Sequence, residues 1–164
     1  MSMTTNKRSD YLKKISWEHH QALRYALHLK KGIANGADGS VLAAYVKVVT
    51  EKHLVPHFSE EEQALFSRLD SRQQENDALR QVIREHRELP ALAVEISGNR
   101  GNDRAQIQQF AEAIVSHVKL EEKTLFPYIE RVLSERALTE AQAQIEQMHS
   151  SEELDWADEF WKQQ

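Results

Sequence analysis

Apolar positions along the chain recur at three- and four-residue steps, in four long stretches parted by short polar breaks. Leu12, Ile15, Leu23, Ala26, Leu27 and Leu29 mark the first stripe and predict a helix from Asp10 to Lys31, with Ser9 or Asp10 as cap. Gly32 to Gly39 gathers most of the glycines and reads as a turn, after which Ser40 is the expected N-cap of a second helix reaching about Leu69. Beyond the polar stretch Asp70 to Gln74, the stripe Leu79, Val82, Leu89, Ala93 and Ile96 predicts a third helix ending at Gly98, placed as its C′ residue. Asp103 then caps a fourth, marked by Ile107, Phe110, Ile114, Val118, Leu125 and Ile129 and running to about Ser134.

Short connections between long amphipathic helices favour antiparallel neighbours, so residues 1–135 predict an all-α, up-down-up-down four-helix bundle. Residues 136–164 predict an accessory C-terminal helix, its Trp156, Phe160 and Trp161 docked on the bundle or on a partner subunit in a homodimer.

Composition narrows the chemistry. A chain of 164 residues can bury a core as one domain, and with 5 Gly and 3 Pro it lacks the turns of a sandwich or barrel. The absence of Cys excludes disulfides, thiolate metal sites and a cysteine nucleophile, so any metal is held by nitrogen and oxygen. A net charge of −5 argues against a nucleic-acid partner. Met1 to Asp10 lacks a secretory apolar run, and the longest apolar tract, Val41 to Val49, is broken by Lys47. A cytoplasmic protein without a membrane partner is the expectation. The 8 His are well above the usual share, and their positions carry the argument.

His57-Phe-Ser-Glu-Glu61-Glu-Gln-Ala-Leu-Phe66 and His117-Val-Lys-Leu-Glu121-Glu-Lys-Thr-Leu-Phe126 both read H-x-x-x-E-E-x-x-L-F, a string too long to recur by chance in this composition. Residues four apart on a helix lie about 40° apart around its axis, so each copy presents an imidazole and a carboxylate on one face. Each preceding helix carries a matching histidine: His20 is followed by Leu23 and Leu27, His86 by Leu89 and Ala93 at the same offsets. The repeated unit is therefore a helix pair. Counted from the turns, the histidines share one level of the bundle, which predicts a metal layer of His20, His57, Glu61, His86, His117 and Glu121. His19 is the alternative on the first helix; the Leu23 and Leu27 offsets favour His20.

Glu60, Glu62 and Glu122 read as solvated, unless Pro56 distorts the helix and lets Glu60 or Glu62 reach inward. His28, His53 and His149 read as surface residues or as partners of ligands. Pro56, Pro90 and Pro127 all fall within helical pattern near the layer and predict kinks that fit the helices around it. Imidazole and carboxylate without thiolate suit iron, with zinc or manganese behind it, and bridging carboxylates favour a metal pair. A ferritin-like site would need two Glu-x-x-His motifs, and the chain has one, Glu146 to His149.

With a His on the first helix, H-x-x-x-E on the second, E-H on the third and H-x-x-x-E-E-x-x-L-F-P on the fourth, the stretch Ile15 to Ile129 resembles the hemerythrin-like, or HHE cation-binding, domain. The resemblance implies a bundle holding two irons, bridged by Glu61 and Glu121, with an open position for O₂ or a related small ligand. Oxygen carriers of that family place two His four apart on the third helix, whereas Val82 and Pro90 stand at those distances from His86. That departure points away from reversible O₂ carriage. The expected function is a di-iron protein that binds or senses O₂, NO, peroxide or iron without turnover. The alternatives are an oxidase or peroxidase-like enzyme, and an interaction module with a structural metal.

Overall fold

The computed structural model describes residues 9–148 and 154–162, and within them every regular element is helical. A 3-10 turn, Asp10–Leu12, leads into α1, Lys13–Ala34. Helix α2, residues 39–65, alternates two α segments with two wide π turns: Gly39–Val49, Thr50–Leu54, Val55–Glu60 and Glu61–Leu65. Helix α3 spans Asp77–Gly98. Helix α4, residues 104–132, repeats the device with a π turn at Glu121–Leu125, between Arg104–Leu120 and Phe126–Val132. Helix α5 is Glu135–Gln147.

Three predicted helix caps shift: the residue before α1 is Leu12, not Ser9 or Asp10, which lie at the 3-10 turn ahead of it. The cap of α2 is Asp38, whose carboxylate accepts the Ser40 N–H at 3.0 Å, because a residue further back leaves more of the first-turn donors within reach. Gly98 stays helical, and the left-handed positions that end α3 are Arg100 and Gly101, at φ 56° and 71°. Asp103 caps α4 as expected, accepting from Gln106 N–H. At this end of the molecule Gly39 and Gly101 lie backbone against backbone, so a Cβ on either would strike the other's carbonyl oxygen.

Pro56 and Pro127 each follow closely on a π turn, Thr50–Leu54 and Glu121–Leu125, where a widened helix accommodates the missing N–H bond. Pro90 instead sits in uninterrupted α-helix.

α1 packs on α4, and α3 packs on both α2 and α4, enclosing two apolar clusters. One contains Leu29, Leu42, Val46, Ile96 and Phe110; the other Leu12, Leu65, Leu79, Phe126 and Ile129. Buried polar side chains occupy the level between them. Of the helix expected over 136–164, the described residues are helical to Gln147, and residues 154–162 are not. α5 caps the second cluster, with Lys14 donating to the Ile145 carbonyl at 2.9 Å and Arg68 reaching Glu140 and Gln144. The tail caps the first: Phe160 is buried against Gly32 and Leu42, and Asn35 donates to the carbonyls of Phe160 and Lys162. The i, i+4, i+5 spacing of Trp156, Phe160 and Trp161 thus marks an aromatic anchor on irregular backbone. His149 and the polar start Met1 to Arg8 lie outside the described residues. Among those described, no helix is long and apolar enough to cross a membrane.

Candidate metal centre

His57, His86, His117, Glu61 and Glu121 all point into the buried level between the apolar clusters. The first helix supplies His19, and the expected His20 faces outward. Adjacent residues differ by about 100° around a helix. The buried side of α1 carries Ile15, Ala22, Ala26 and Leu29, the face His19 shares, whereas Leu27 is 48 % exposed. Leucine offsets were therefore the wrong guide. The dipeptide Glu18-His19, which recurs as Glu85-His86, is the signal that would have aligned the halves correctly.

Two groups of four side chains share both carboxylates. His19, His57, Glu61 and Glu121 form one; His86, His117, Glu61 and Glu121 the other, each with its ligand atoms within 4.8 Å of one another. Glu61 Oε2 lies 3.5 Å from His19 Nε2 and 3.4 Å from His57 Nε2, while its Oε1 lies 3.1 Å from His86 Nε2. Glu121 Oε1 lies 2.6 Å from His117 Nε2 and 3.6 Å from His19 Nε2. Despite this crowding the four Nε2 atoms and both carboxylates are buried without a properly aligned hydrogen bond. Each such orphan costs about 1–3 kcal/mol in a packed interior, and a cation at this level would satisfy all eight.

The outer ring nitrogens are bound, with each Nδ1 directed at a carboxylate. His19 Nδ1 donates to Glu122 at 2.7 Å, His86 to Glu62 at 2.6 Å, His117 to Glu85 at 2.7 Å, and His57 to Glu18 at a longer 3.4 Å. A proton held on Nδ1 leaves the Nε2 lone pair facing inward, the tautomer a metal requires. The pattern obeys the duplication: the Glu of each Glu-His pair holds the ring on the next helix, and the second Glu of each Glu-Glu pair holds a ring of the other half. Glu62 and Glu122 are thus not idle solvated residues. The repeated phenylalanine has a matching role, for Phe126 stacks on His19 at 5.4 Å and Phe66 on His86 at 6.0 Å. Both Glu-Glu-x-x-Leu strings form π turns starting at the shared carboxylate, and such turns cluster at functional sites.

Glu60 is also buried, but beside the pair of groups. It meets Lys14 at 3.3 Å and joins Glu18 and His57 in a third, smaller cluster. Burial, with Glu18 next to it, pushes its carboxyl up to about 8. His53 lies outside both groups, its Nε2 donating to the Glu18 carbonyl at 3.0 Å, and His28 is bonded to the Tyr45 hydroxyl. Burial works against charge on His57, His117 and His19, and the carboxylates outweigh it. Glu61 and Glu18 hold His57 up at about 10, Glu121 and Glu85 hold His117 up at about 9, and Glu121, Glu122 and Glu61 raise His19 well above its ordinary value. Burial alone would raise Glu61, but the His57 charge beside it holds it well below the usual carboxylate range. The metal-free rings thus hold their protons tightly, and a cation would displace them.

The hemerythrin HHE cation-binding domain model matches residues 14–129, which contain every side chain of the two groups. Neither a curated relative nor a solved structure matches the chain. With the family match covering most of the chain, and buried His and Glu clusters suited to a cation inside it, the protein belongs to the hemerythrin HHE cation-binding family.

Proposed function

We propose that the protein holds a pair of iron ions, one on His19 and His57, the other on His86 and His117, with Glu61 and Glu121 shared, and that it binds or senses O₂, NO, peroxide or iron itself. The observation that carries this reading is the set of eight buried ligand atoms without an aligned hydrogen bond, in two groups around two common carboxylates. Nitrogen and oxygen donors without thiolate suit iron, and an up-down-up-down order would bring the four rings to one level from alternating directions. The pair would supply redox chemistry and open coordination positions for a small ligand, since each group provides only two imidazoles beside the shared carboxylates. The chain's own part is to fix the Nδ1 protons on Glu122, Glu18, Glu62 and Glu85, and to exclude water with Phe58, Phe66 and Phe126. Binding without turnover is the leading role, in the cytoplasm; an oxidase or peroxidase-like activity is the second, favoured by the same open positions.

Metal content per chain, with visible spectra in air and under reductant, tests the proposal. Two irons per chain and a charge-transfer band that bleaches on reduction are expected. A colourless protein carrying a single zinc would overturn it.

A further inference from the structure

The two halves of the duplication differ in aromatic content. Tyr25, His28, Tyr45 and His53 in the first half stand where the second half has Leu92, Glu95, Ala105 and Ala113. Tyr45, His28 and Tyr25 also seat the tail, through Phe160, Trp161 and the Leu154 N–H, and the metal groups use none of these aromatic residues. They form a continuous line from the C-terminal tail to a ligand. Trp161, partly exposed, lies 3.8 Å from His28 in a parallel stack and 5.9 Å from Tyr45 between ring centroids. Tyr45 stands 6.2 Å from Tyr25, Tyr25 stands 5.2 Å from His53, and His53 stands 6.1 Å from His57, nearly parallel to it. The Tyr45 hydroxyl and His28 Nδ1 are hydrogen-bonded at 2.7 Å, the hydroxyl donating when the ring proton sits on Nε2. Burial, with Arg24 and Lys31 nearby, lowers His28 to about 4, so its ring is a neutral acceptor at neutral pH.

Electron tunnelling falls off exponentially with distance, so long transfers are fast only when divided among closely spaced oxidisable rings. A phenol loses an electron readily only if its proton has somewhere to go. Close spacing holds along the whole line, and at Tyr45 the proton's acceptor is built in. We propose that Trp161, Tyr45 and Tyr25 form a one-electron path from the surface to the metal centre, with His53 as the bridge to His57 and with Tyr45 passing its phenolic proton to His28 Nδ1. The proposal rests on the redox-active reading of the site. Reduction of hydrogen peroxide to two waters takes two electrons and two protons, the protons coming from solvent; where the metals supplied only one electron, the line would supply the other. Tyr45 then loses one electron, its O–H bond breaks, and an N–H bond forms on His28. Trp161 refills Tyr45 with an electron, the proton returns from His28, and an organic one-electron reductant in solution restores Trp161. The path thus spends surplus oxidising power at the surface and spares the ligands.

Iron-loaded protein, mixed with hydrogen peroxide and rapidly frozen, is read by electron paramagnetic resonance. A tyrosyl signal that narrows on ring deuteration of tyrosine is expected. It should be lost in Y45F and weakened in H28Q, with iron content unchanged in both. A tyrosyl signal unaltered in Y45F, or no protein radical from iron-loaded protein that peroxide does oxidise, overturns the path. The outer half is tested without iron, using metal-free protein photo-oxidised by a ruthenium polypyridyl complex and persulfate. A tryptophan radical should pass to tyrosine in the parent protein, persist in Y45F, and lose its fast transfer phase in W161F. Equal decay in all three overturns the proposal. Failure to bind iron would remove the metal reading alone, and the photo-oxidation result would still decide the aromatic path.

Discussion

Two of the inward imidazoles are gripped twice, by a carboxylate on Nδ1 and by a phenylalanine on the face. For His19 these are Glu122 and Phe126; for His86, Glu62 and Phe58, whose ring stacks at 4.0 Å. Removing the charge of an outer partner typically lowers metal affinity about 10–100-fold. Glu122→Gln and Glu62→Gln should therefore weaken binding on that scale in competition with a chelator, with stoichiometry kept at saturation. Glu18→Gln should cost less, because its bond to His57 is the longest of the four at 3.4 Å. The choice on α1 has an equally direct test. His19→Ala should lose at least one cation per chain by elemental analysis, and His20→Ala, altering an outward ring, should lose none. The reverse result would rotate α1 by one residue.

At the scale of elements, the close approach of two turns and the span of α3 lead to opposite expectations for two glycines. Gly39 touches Gly101 backbone to backbone, so Gly39→Ala forces the turns apart and should cost about 1–3 kcal/mol, measured by urea unfolding. Gly98 is helical with open space where its Cβ would stand, and Gly98→Ala should stabilise by about 0.5–1 kcal/mol. Had Gly98 been the left-handed residue its spacing suggested, the same change would destabilise.

Across the whole molecule, the polar level divides the apolar interior in two, so folding and cation binding are linked. A ligand held only by the folded state stabilises it by RT ln(1 + [L]/Kd), and chelation should lower the melting temperature. The pH dependence of the metal-free protein has a definite sign. His57 and His117, raised to about 10 and about 9 from an ordinary 6.5, hold protons more tightly folded than unfolded. Their contribution is complete below about pH 6.5 and is lost as pH climbs through 9 to 10. His53, lowered to about 4 by burial and the His57 charge, acts oppositely, its contribution being lost as pH falls from 6.5 to 4. The metal-free protein should therefore lose stability toward alkali by chemical denaturation at successive pH values. Metal affinity should rise over the same alkaline interval, since each ring must shed its proton to bind.

Periodicity and repetition carried much of this in one dimension. Helical stripes located four long helices, because burying one face forces a 3.6-residue period on the sequence itself. The repeated H-x-x-x-E-E-x-x-L-F brought out His57, Glu61, His117 and Glu121, because one helical turn places residues four apart on a common face whatever surrounds them. His86 followed from its place on the buried side of α3. Other features depend on neighbours that the pattern does not contain. Whether His19 or His20 turns inward depends on how α1 is rotated against α4, and both residues lie near the edge of an apolar stripe. Glu62 and Glu122 look solvated within their own helices and acquire partners only when His86 and His19 arrive from adjacent ones. Glu18 and Glu85 gain their roles in the same way, across helices far apart in sequence. The aromatic spacing in the tail suggested a helix, but the anchor formed on irregular backbone, because docking Phe160 over Gly32 requires only that the rings arrive there. Side-chain type and helical period are local properties and survive in the sequence; rotation, long-range hydrogen bonds and the convergence of two carboxylates on four rings exist only once the helices pack.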